Sequence, residues 1–371
     1  MKEDKKKLNI LFVCPTLSNG GAERVCVSWA NGLSARGHNV DILIKPGAGI
    51  TYQPDERVKV INLPRFACSL LNRIPLLSDT LRLRKLLKKG KYDVVVEVLF
   101  YLYFPIRLAT WMIKPAIPAV FTSHDAMERP SNIRHPFKFI LIKFFANRFY
   151  NHITVLTHRD WQILKSKGFS HVSVLHNPLF LKSKKIDPSE KKNLVLSVGR
   201  IDAWFYKGFD ILIKAWNILY PDFPDWKLQI VGNSSDTSLK YLKSLILDKD
   251  SVEFVPFTNS IEDNYKEASI YCLSSRYEGW GLVIPEAMSR GCAVVACDFK
   301  GRQAEIINDG INGLLCEPQN VNELVLKLKT LMSNDELRRA IQTSAPMSLD
   351  NFKEEVVSQK LESILTKVCR T

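Results

Sequence analysis

The sequence predicts an α/β protein with two doubly wound parallel sheets, one after the other along the chain. Three observations lead to this prediction. Runs rich in Val, Ile and Leu alternate with amphipathic helical segments in both halves, as in βαβ units. Most of these runs are almost continuously apolar, which is typical of parallel strands covered on both faces. The 371 residues are enough for two such domains.

The first half is predicted to contain seven strands: Asn9–Cys14, Val40–Ile44, Val58–Leu63, Asp93–Val98, Ala119–Ser123, Ile153–Thr157 and Val172–Leu175. A helix over Ala22–Arg36 follows the first strand, and Gly37 ends it. Further along, a helix is predicted with a basic face formed by Arg82, Arg84, Lys85, Lys88, Lys89 and Lys91. Its other side carries Leu83, Leu86 and Leu87, so this helix is amphipathic.

The second half is predicted to contain six strands: Leu194–Val198, Lys227–Val231, Val252–Val255, Ile270–Ser274, Ala293–Cys297 and Gly313–Leu315. The predicted helices are Gly208–Leu219, Leu239–Leu247, Pro285–Arg290 and Val321–Met332. The polar stretch Lys182–Asn193 favours a linker, so we place the domain boundary after Pro178. The last residues carry an apolar helical face that needs a packing partner: Val356, Val357, Leu361, Ile364, Leu365 and Val368.

Composition excludes several classes of protein. Hydrophobic residues make up 46% and charged residues 24% of the chain, which is incompatible with wholesale disorder. No apolar run approaches the roughly 18 residues that a membrane-spanning helix needs. The basic start is not followed by an apolar stretch long enough for a signal peptide. The eight cysteines contain no C-x-x-C pair, which favours reduced core thiols and a cytoplasmic location.

Positive charge is concentrated in the first half of the chain. The net charge is +14, and residues 1–180 carry 27 Lys and Arg against 12 Asp and Glu. Such asymmetry suggests an anionic partner: nucleic acid, a membrane surface or a phosphorylated substrate. The basic amphipathic helix favours an anionic membrane surface, although a solvated charged face is the simpler alternative. The Phe-rich stretch 136–150 is predicted to be either packed core or an apolar acceptor groove.

Two motifs at strand ends are suited to phosphate binding. Gly20-Gly21 lies at the turn from the first strand to its helix, where backbone amides are able to approach a phosphate, although a simple tight turn has the same pattern. Gly199-Arg200 ends the first strand of the second domain, and Lys207-Gly208 opens the next helix. An arginine fork and a lysine beside a helix N-terminus form a pyrophosphate clamp, unless they are merely solvated cations.

The strongest motif is the segment from Glu278 to Glu286, which joins a strand to a helix. Its two carboxylates are able to accept hydrogen bonds from sugar hydroxyls, and Gly279 and Gly281 let backbone amides approach a ligand. By contrast, Asp248-Lys249-Asp250 imitates a D-x-D metal motif but follows a helical run, so it is interpreted as a charged helix end. No metal site and no cofactor are predicted.

Taken in order, Gly20-Gly21, Gly199-Arg200, Lys207-Gly208, Glu278 to Glu286 and the Asp309–Leu315 segment resemble the large retaining GT-B glycosyltransferase family of bacteria, group 1. The resemblance covers essentially the whole chain. It implies two Rossmann-like domains facing a central cleft, with the last helix crossing back to the first domain. Residues 1–178 with 346–371 would then bind the acceptor, and residues 179–345 would bind a nucleotide sugar.

The resemblance also implies roles for individual residues. Arg200 and Lys207 would hold the diphosphate, and Glu286 would bind the ribose hydroxyls. The donor sugar and phosphate would be held by Glu278 and by backbone amides near Trp280, Gly281 and Leu282. His124 matches the family's histidine near the donor sugar. Asn177 would lie in the hinge, and Gly20-Gly21 near the phosphates.

One departure from the family pattern concerns the clamp. Six residues separate Arg200 from Lys207 where the pattern commonly has four, and the extra loop is aromatic. Trp204, Phe205 and Tyr206 would line the cleft or cap it.

The resemblance thus implies an enzyme that transfers a hexose or N-acetylhexosamine from a nucleotide diphosphate sugar. The transfer is expected to retain the anomeric configuration and to need no metal ion. UDP is the expected nucleotide, and a lipid-linked or glycan acceptor at the inner face of the cytoplasmic membrane is expected. A sugar-nucleotide epimerase or hydrolase with the same clamp remains an alternative. A nucleic-acid-binding protein is less compatible with Glu278 and Glu286, and the sequence contains no recognised nucleic-acid motif.

Overall fold

The structure is a computed structural model that describes residues 7–18, 20–63, 75–99, 103–128, 150–181, 187–258 and 260–370. The described chain forms two compact units. The first contains the residues up to Pro178 and those from Lys353 onward, and the second contains Leu179–Phe352. From the sequence, residues 346–371 were predicted to pack on the first domain. Pro346 instead lies inside a helix of the second unit.

The first unit is built on a seven-stranded parallel sheet with the order β3-β2-β1-β4-β5-β6-β7. Its strands are β1 Asn9–Val13, β2 Asn39–Ile44, β3 Lys59–Asn62, β4 Val94–Val98, β5 Ala119–Thr122, β6 His152–Val155 and β7 Val172–Val174. Central strands are buried along their whole length, as their continuous apolar sequences predict. The order reverses between β1 and β4, and such a switch point places ligands at the carboxyl ends of the neighbouring strands.

Five described helices cover this sheet: α1 Gly21–Ala35, α2 Pro75–Gly90, α3 Tyr103–Trp111, α4 His158–Ser166 and, at the chain end, α12 Glu354–Val368. The predicted return of the last helix to the first domain is confirmed, because α12 packs on α1. Gly32 lies at the crossing, where a Cβ would overlap the hydroxyl of Ser358. Ser28 donates to Glu354 over 2.6 Å, and Arg36 donates to Glu362 over 2.7 Å.

The second unit has a six-stranded parallel sheet with the order β10-β9-β8-β11-β12-β13. Its strands are β8 Lys192–Val198, β9 Lys227–Val231, β10 Val252–Val255, β11 Ala268–Leu273, β12 Ala293–Cys297 and β13 Leu314–Cys316. The helices are α5 Trp204–Lys207, α6 Phe209–Leu219, α7 Asp236–Ser244, α8 Ile261–Glu267, α9 Val283–Ser289, α10 Val321–Ser333 and α11 Asp335–Met347. One buried apolar core joins α6, α10 and the sheet. The predicted architecture of two doubly wound parallel sheets is therefore confirmed.

Some local predictions differ from the structure. The predicted linker Lys182–Asn193 extends too far, because Lys192 and Asn193 already belong to β8. Helices α3, α4, α8 and α11 were not predicted. The stretch 136–150 lies outside the described residues, apart from Tyr150.

Candidate functional site

The carboxyl end of β8 leads directly into the predicted clamp. Gly199 follows the strand, and Arg200 is exposed at the start of a short 3-10 turn, Ile201–Ala203. The neighbouring strand β9 is followed by Gly232, where a Cβ would overlap the carbonyl of Gly199. Glycine is therefore required at 232 so that the two strand ends lie close together.

The aromatic insertion before Lys207 is a single helical turn, α5, and not an extended loop. It ends at Gly208, whose φ of 67° is a left-handed conformation that favours glycine. A Cβ at Gly208 would overlap the carbonyl of Ser274, at the end of β11. The Ser274 hydroxyl also donates to the Lys207 carbonyl over 2.9 Å. These contacts fix the backbone of Lys207 against β11.

Two of the predicted site residues meet directly. The Lys207 ammonium lies 2.7 Å from Oε2 of Glu278, and the two side chains are only 26% and 18% exposed. The aliphatic part of Lys207 passes close to Gly199, where a Cβ would contact it at 3.4 Å. The structure thus brings Lys207, Glu278 and Gly199 together at the carboxyl ends of β8 and β11.

The side chain of Trp280, in the segment after Glu278, points into the protein interior. Trp280 is buried and its ring lies 5.3 Å from that of Phe352, so any contact of Trp280 with a donor would be through its backbone. Gly281 has a φ of 86°, and its carbonyl accepts the amide of Ile284 in the first turn of α9. Leu282 is the residue that immediately precedes this helix.

Glu286 lies in α9 and is 5% exposed. The hydroxyl of Tyr265 donates to its carboxylate over 3.3 Å. Burial, together with the carboxylate of Glu286, raises the pKa of Tyr265, so this hydroxyl remains a donor at neutral pH. The Glu286 carboxylate of the predicted motif is therefore also held in place by the hydroxyl of Tyr265.

Arg276 contributes to the site although no motif in the sequence points to it. Its guanidinium forms a two-pronged ion pair with Asp210, with distances of 2.6 and 2.7 Å, and both residues are largely buried. It also donates to the carbonyl of Phe205 over 2.7 Å and lies over that ring, with Cζ 4.3 Å from the centroid. The Arg276 amide donates to the carbonyl of Tyr206. Arg276 thus holds the turn that carries Lys207.

The aromatic residues of α5 take different positions. Trp204 is partly buried and stacks on Tyr241 of α7, with ring centroids 4.5 Å apart. Phe205 and Tyr206 are exposed. Trp204 therefore anchors the α5 turn to α7, while Phe205 and Tyr206 remain accessible to solvent next to Lys207.

The remaining predicted site residues belong to the first unit. His124 follows β5, and its Nε2 lies 3.2 Å from the hydroxyl of Thr122. The ring of Trp29 lies 5.5 Å from the imidazole. Burial lowers the pKa of His124 to about 4, against a smaller opposing effect of Asn177, so the imidazole is neutral at pH 7. Asn177 is itself buried, after β7.

The Gly20-Gly21 turn already faces a carboxylate of the protein. Gly20 precedes α1, and a Cβ there would overlap the side-chain carboxylate of Glu23. Burial raises the pKa of Glu23. A phosphate at this turn would therefore have to displace or neutralise a negative charge that the sequence analysis did not consider.

The Asp248-Lys249-Asp250 segment, which resembles a D-x-D motif, has a structural role. Oδ1 of Asp248 accepts the amides of Asp250 and Ser251, both over 3.0 Å, and so caps a 3-10 turn before β10. Asp248 is therefore the N-terminal cap of this turn and not the end of the preceding helix, α7.

Two Rossmann-like units, each built on a parallel sheet, are the architecture of the GT-B fold. The sequence pattern of the family described as glycosyl transferases group 1 matches residues 180–347, and that of glycosyltransferase family 4 matches residues 19–181. The crystal structure of the Anabaena protein HepE with UDP and glucose superposes with a TM-score of 0.78 at 21% identity, covering 97% of this chain and 99% of that one. Staphylococcus aureus TarM gives a TM-score of 0.80 at 15% identity, covering 96% and 99%. At these identities the two structures support the fold alone.

Relatives by sequence extend over the whole chain. An uncharacterized glycosyltransferase of Haemophilus influenzae is 31% identical over 362 residues, which are 95% of this chain and 98% of the relative. A Campylobacter jejuni N-acetylgalactosaminyltransferase, named for an undecaprenol-linked acceptor, is 25% identical over 97% of this chain and 99% of its own length. The chain therefore belongs to the group 1 glycosyltransferases and is a glycosyltransferase, as its motifs predicted. No helix in the described part of the chain is both long and apolar enough to cross a membrane.

Proposed function

We propose that the protein transfers a hexose or N-acetylhexosamine from UDP to a lipid-linked or glycan acceptor, with retention and without a metal ion, in the synthesis of a bacterial cell-surface polysaccharide or glycolipid. The observation that carries this proposal is the contact between Lys207 and Glu278 beside Arg200, at the carboxyl ends of two parallel strands. This 2.7 Å contact supports the proposal because it brings a cation suited to a diphosphate next to a carboxylate suited to sugar hydroxyls.

The clamp supplies the electrostatic part of the reaction. Negative charge develops on the departing diphosphate, and Arg200 and Lys207 stabilise it in place of a divalent cation. Without donor, Lys207 is neutralised by Glu278. When a diphosphate binds, Lys207 turns to phosphate, and Glu278 becomes available to accept hydrogen bonds from the donor sugar. Glu286 accepts the ribose hydroxyls, and the amides of Gly281 and Leu282 approach the phosphate.

The first unit is assigned to the acceptor and to the sugar end of the donor. A neutral His124 is suited to hydrogen-bonding a sugar hydroxyl, since it offers one donor and one acceptor at pH 7. Asn177 and the Gly20-Gly21 turn belong to the same unit and lie, like His124, after strands of its sheet. Their place at carboxyl ends of parallel strands supports a role in ligand binding.

Several relatives support the choice of substrates. The name of the Campylobacter relative specifies a lipid-linked acceptor and N-acetylgalactosamine transfer. An Erwinia amylovora relative, 25% identical over 96% of this chain, is named an amylovoran biosynthesis glycosyltransferase. The HepE structure contains UDP and glucose. We extend these properties to the present chain as a proposal, together with a place at the inner face of the cytoplasmic membrane.

Donor turnover with and without lipid extract tests the proposal. Purified protein is incubated with radiolabelled UDP-sugars, and label is measured in the organic phase and as free sugar. The proposal expects lipid-phase label that disappears in Lys207→Ala. Free sugar formed equally with and without lipid would instead identify a sugar-nucleotide hydrolase. A product with inverted anomeric configuration would contradict the retaining assignment.

A further inference from the structure

Helix α3 in the first unit has two apolar faces. Ile106 and Ala109 are fully buried in the core of the unit. The opposite side carries three exposed apolar side chains: Leu108 is 38% exposed, Trp111 63% and Met112 46%. Their spacing of three and four residues places them in one stripe along the helix. The amide of Met112 still bonds to the carbonyl of Leu108, so the stripe continues through the last helical turn.

This apolar stripe lies on a helix that packs against α2, which carries more basic residues than any other helix that the structure describes. Helices α2 and α3 contact each other, and Leu83 and Leu87 of α2 are buried in the same core as Ile106. The exposed side of α2 carries three lysines, and one exposed lysine follows each of the two helices: Lys85, Lys88 and Lys89, then Lys91 after α2 and Lys114 after α3. We call these lysines, together with Leu108, Trp111 and Met112, the α2–α3 surface.

The charge of the α2–α3 surface is not neutralised by acids of its own helices. Between residues 75 and 91 the sequence contains one acidic residue, Asp79, and that carboxylate pairs with Arg82. Arg107 lies over the ring of Trp111, with Cζ 5.1 Å from the centroid. This contact orients an exposed indole before any partner arrives, which lowers the entropy that binding would cost.

An exposed apolar stripe on a helix that packs against a lysine-rich helix fits the surface of an anionic bilayer. Tryptophan is enriched at the membrane–water boundary, where its ring is apolar and its N–H remains hydrated. Lysines near an anionic leaflet are attracted to the lipid headgroups. A partner protein would have to match both an apolar stripe and a dense positive charge, whereas an anionic bilayer provides both partners in adjacent layers.

We propose that the α2–α3 surface docks on an anionic membrane, with Leu108, Trp111 and Met112 inserted at the acyl-chain boundary and the lysines at the headgroups. The inference rests on the proposed function, because a lipid-linked acceptor has to be met at a bilayer. It goes beyond attraction by charge alone, since it assigns the apolar residues that enter the membrane.

Vesicle sedimentation separates the two parts of the surface. The protein is mixed with vesicles of phosphatidylcholine alone or with added phosphatidylglycerol, at low and high salt. The double variant Trp111→Ser and Met112→Ser is expected to lose the binding that survives high salt, and to bind about tenfold more weakly overall. The matched control, Ile218→Ser with Leu247→Ser, replaces two exposed apolar residues of the second unit and is expected to bind like the wild type.

The lysines are tested in the same assay. Lys85→Glu, Lys88→Glu and Lys89→Glu together are expected to abolish the preference for anionic vesicles, with a loss of about fivefold or more for each lysine. The apolar contribution remains, so weak binding that does not depend on salt persists in this variant. Urea unfolding midpoints equal to that of the wild type exclude misfolding as the cause.

Two outcomes would overturn the inference: no binding of the wild type to anionic vesicles, or full binding by the Trp111 and Met112 double variant. Neither outcome depends on glycosyl transfer, which is measured separately with a detergent-solubilised acceptor. Transfer without vesicle binding would reject the docking surface and leave the proposed function intact. Vesicle binding without any donor turnover would reject the proposed function instead.

Discussion

The ion pair of Arg276 with Asp210 gives the sharpest test of how the clamp is built. Replacing Arg276 by Met leaves the Asp210 carboxylate, which is 7% exposed, without its cation. Breaking a buried pair from one side costs about 3–5 kcal/mol in the free energy of unfolding. The change also removes the donor to the carbonyl of Phe205, two residues before Lys207. We therefore expect loss of both stability and affinity for a nucleoside diphosphate.

A double-mutant cycle separates these two losses. Combining Arg276→Met with Asp210→Leu removes both charges, so we expect stability to recover by up to about 3 kcal/mol. Affinity for the diphosphate is expected to stay about tenfold or more below the wild type, because the turn before Lys207 is still not held. Urea unfolding and calorimetric titration with UDP measure the two quantities. Arg338→Met is the control: it removes a buried arginine that donates to the Leu331 carbonyl in the same unit, away from the clamp.

Recovery of both stability and UDP affinity in the double variant would refute this reasoning. Arg276 would then be a structural residue only, and the position of Lys207 would be set by the contacts of Ser274 and Gly208.

Three further predictions concern the site. Arg200→Ala and Lys207→Ala should each weaken UDP binding by about 1.5–3 kcal/mol while uridine binding is unchanged, as calorimetry would show; equal losses for both ligands would reject a phosphate contact. Glycosyl transfer should survive EDTA, because cations of the protein meet the charge of the leaving group, whereas loss on chelation and recovery with Mn²⁺ would restore Asp248 and Asp250 as metal ligands. The free energy of unfolding should fall as the pH decreases from about 6.5 towards 4, because the folded state keeps His124 neutral with a pKa of about 4. In urea titrations across that range, His124→Asn should reduce this fall by about 3 kcal/mol. An unchanged pH dependence in the variant would contradict the assignment.

Strands were the part of the fold that the sequence predicted best. A run such as Val94–Val98 is apolar at every position but one, and such a short run rich in Val is typical of a strand buried on both faces. Helix α11 was missed because its sequence is mostly polar, with two arginines, a glutamine and Pro346 among few apolar residues. Ile341 and Ala345 of this helix are buried, and Ile341 belongs to the core of the second unit, which only the tertiary fold reveals.

The candidate site residues that could be chosen from the sequence are those that belong to local motifs. Lys207 and Glu278 were both selected because each lies at a strand-to-helix junction, but their contact joins residues that are far apart in the chain. The pairing of Arg276 with Asp210 has the same character, and no spacing within the sequence signals it. The carboxylate of Glu23 over Gly20 escaped notice for a different reason: an acid in the first turn of a helix is ordinary.

The packing of α12 on α1 has a consequence for how the protein is made. The first unit combines residues that come before and after the second unit in the sequence, so a ribosome delivers the partners of Ser28 and Arg36 only after the entire second unit has been translated. Until then the face of α1 around Gly32 lacks its cover. The second unit is contiguous and is able to fold first, whereas the N-terminal unit must wait, against the usual order of synthesis. A nascent chain paused before residue 354 would therefore be the species most exposed to chaperones and proteases.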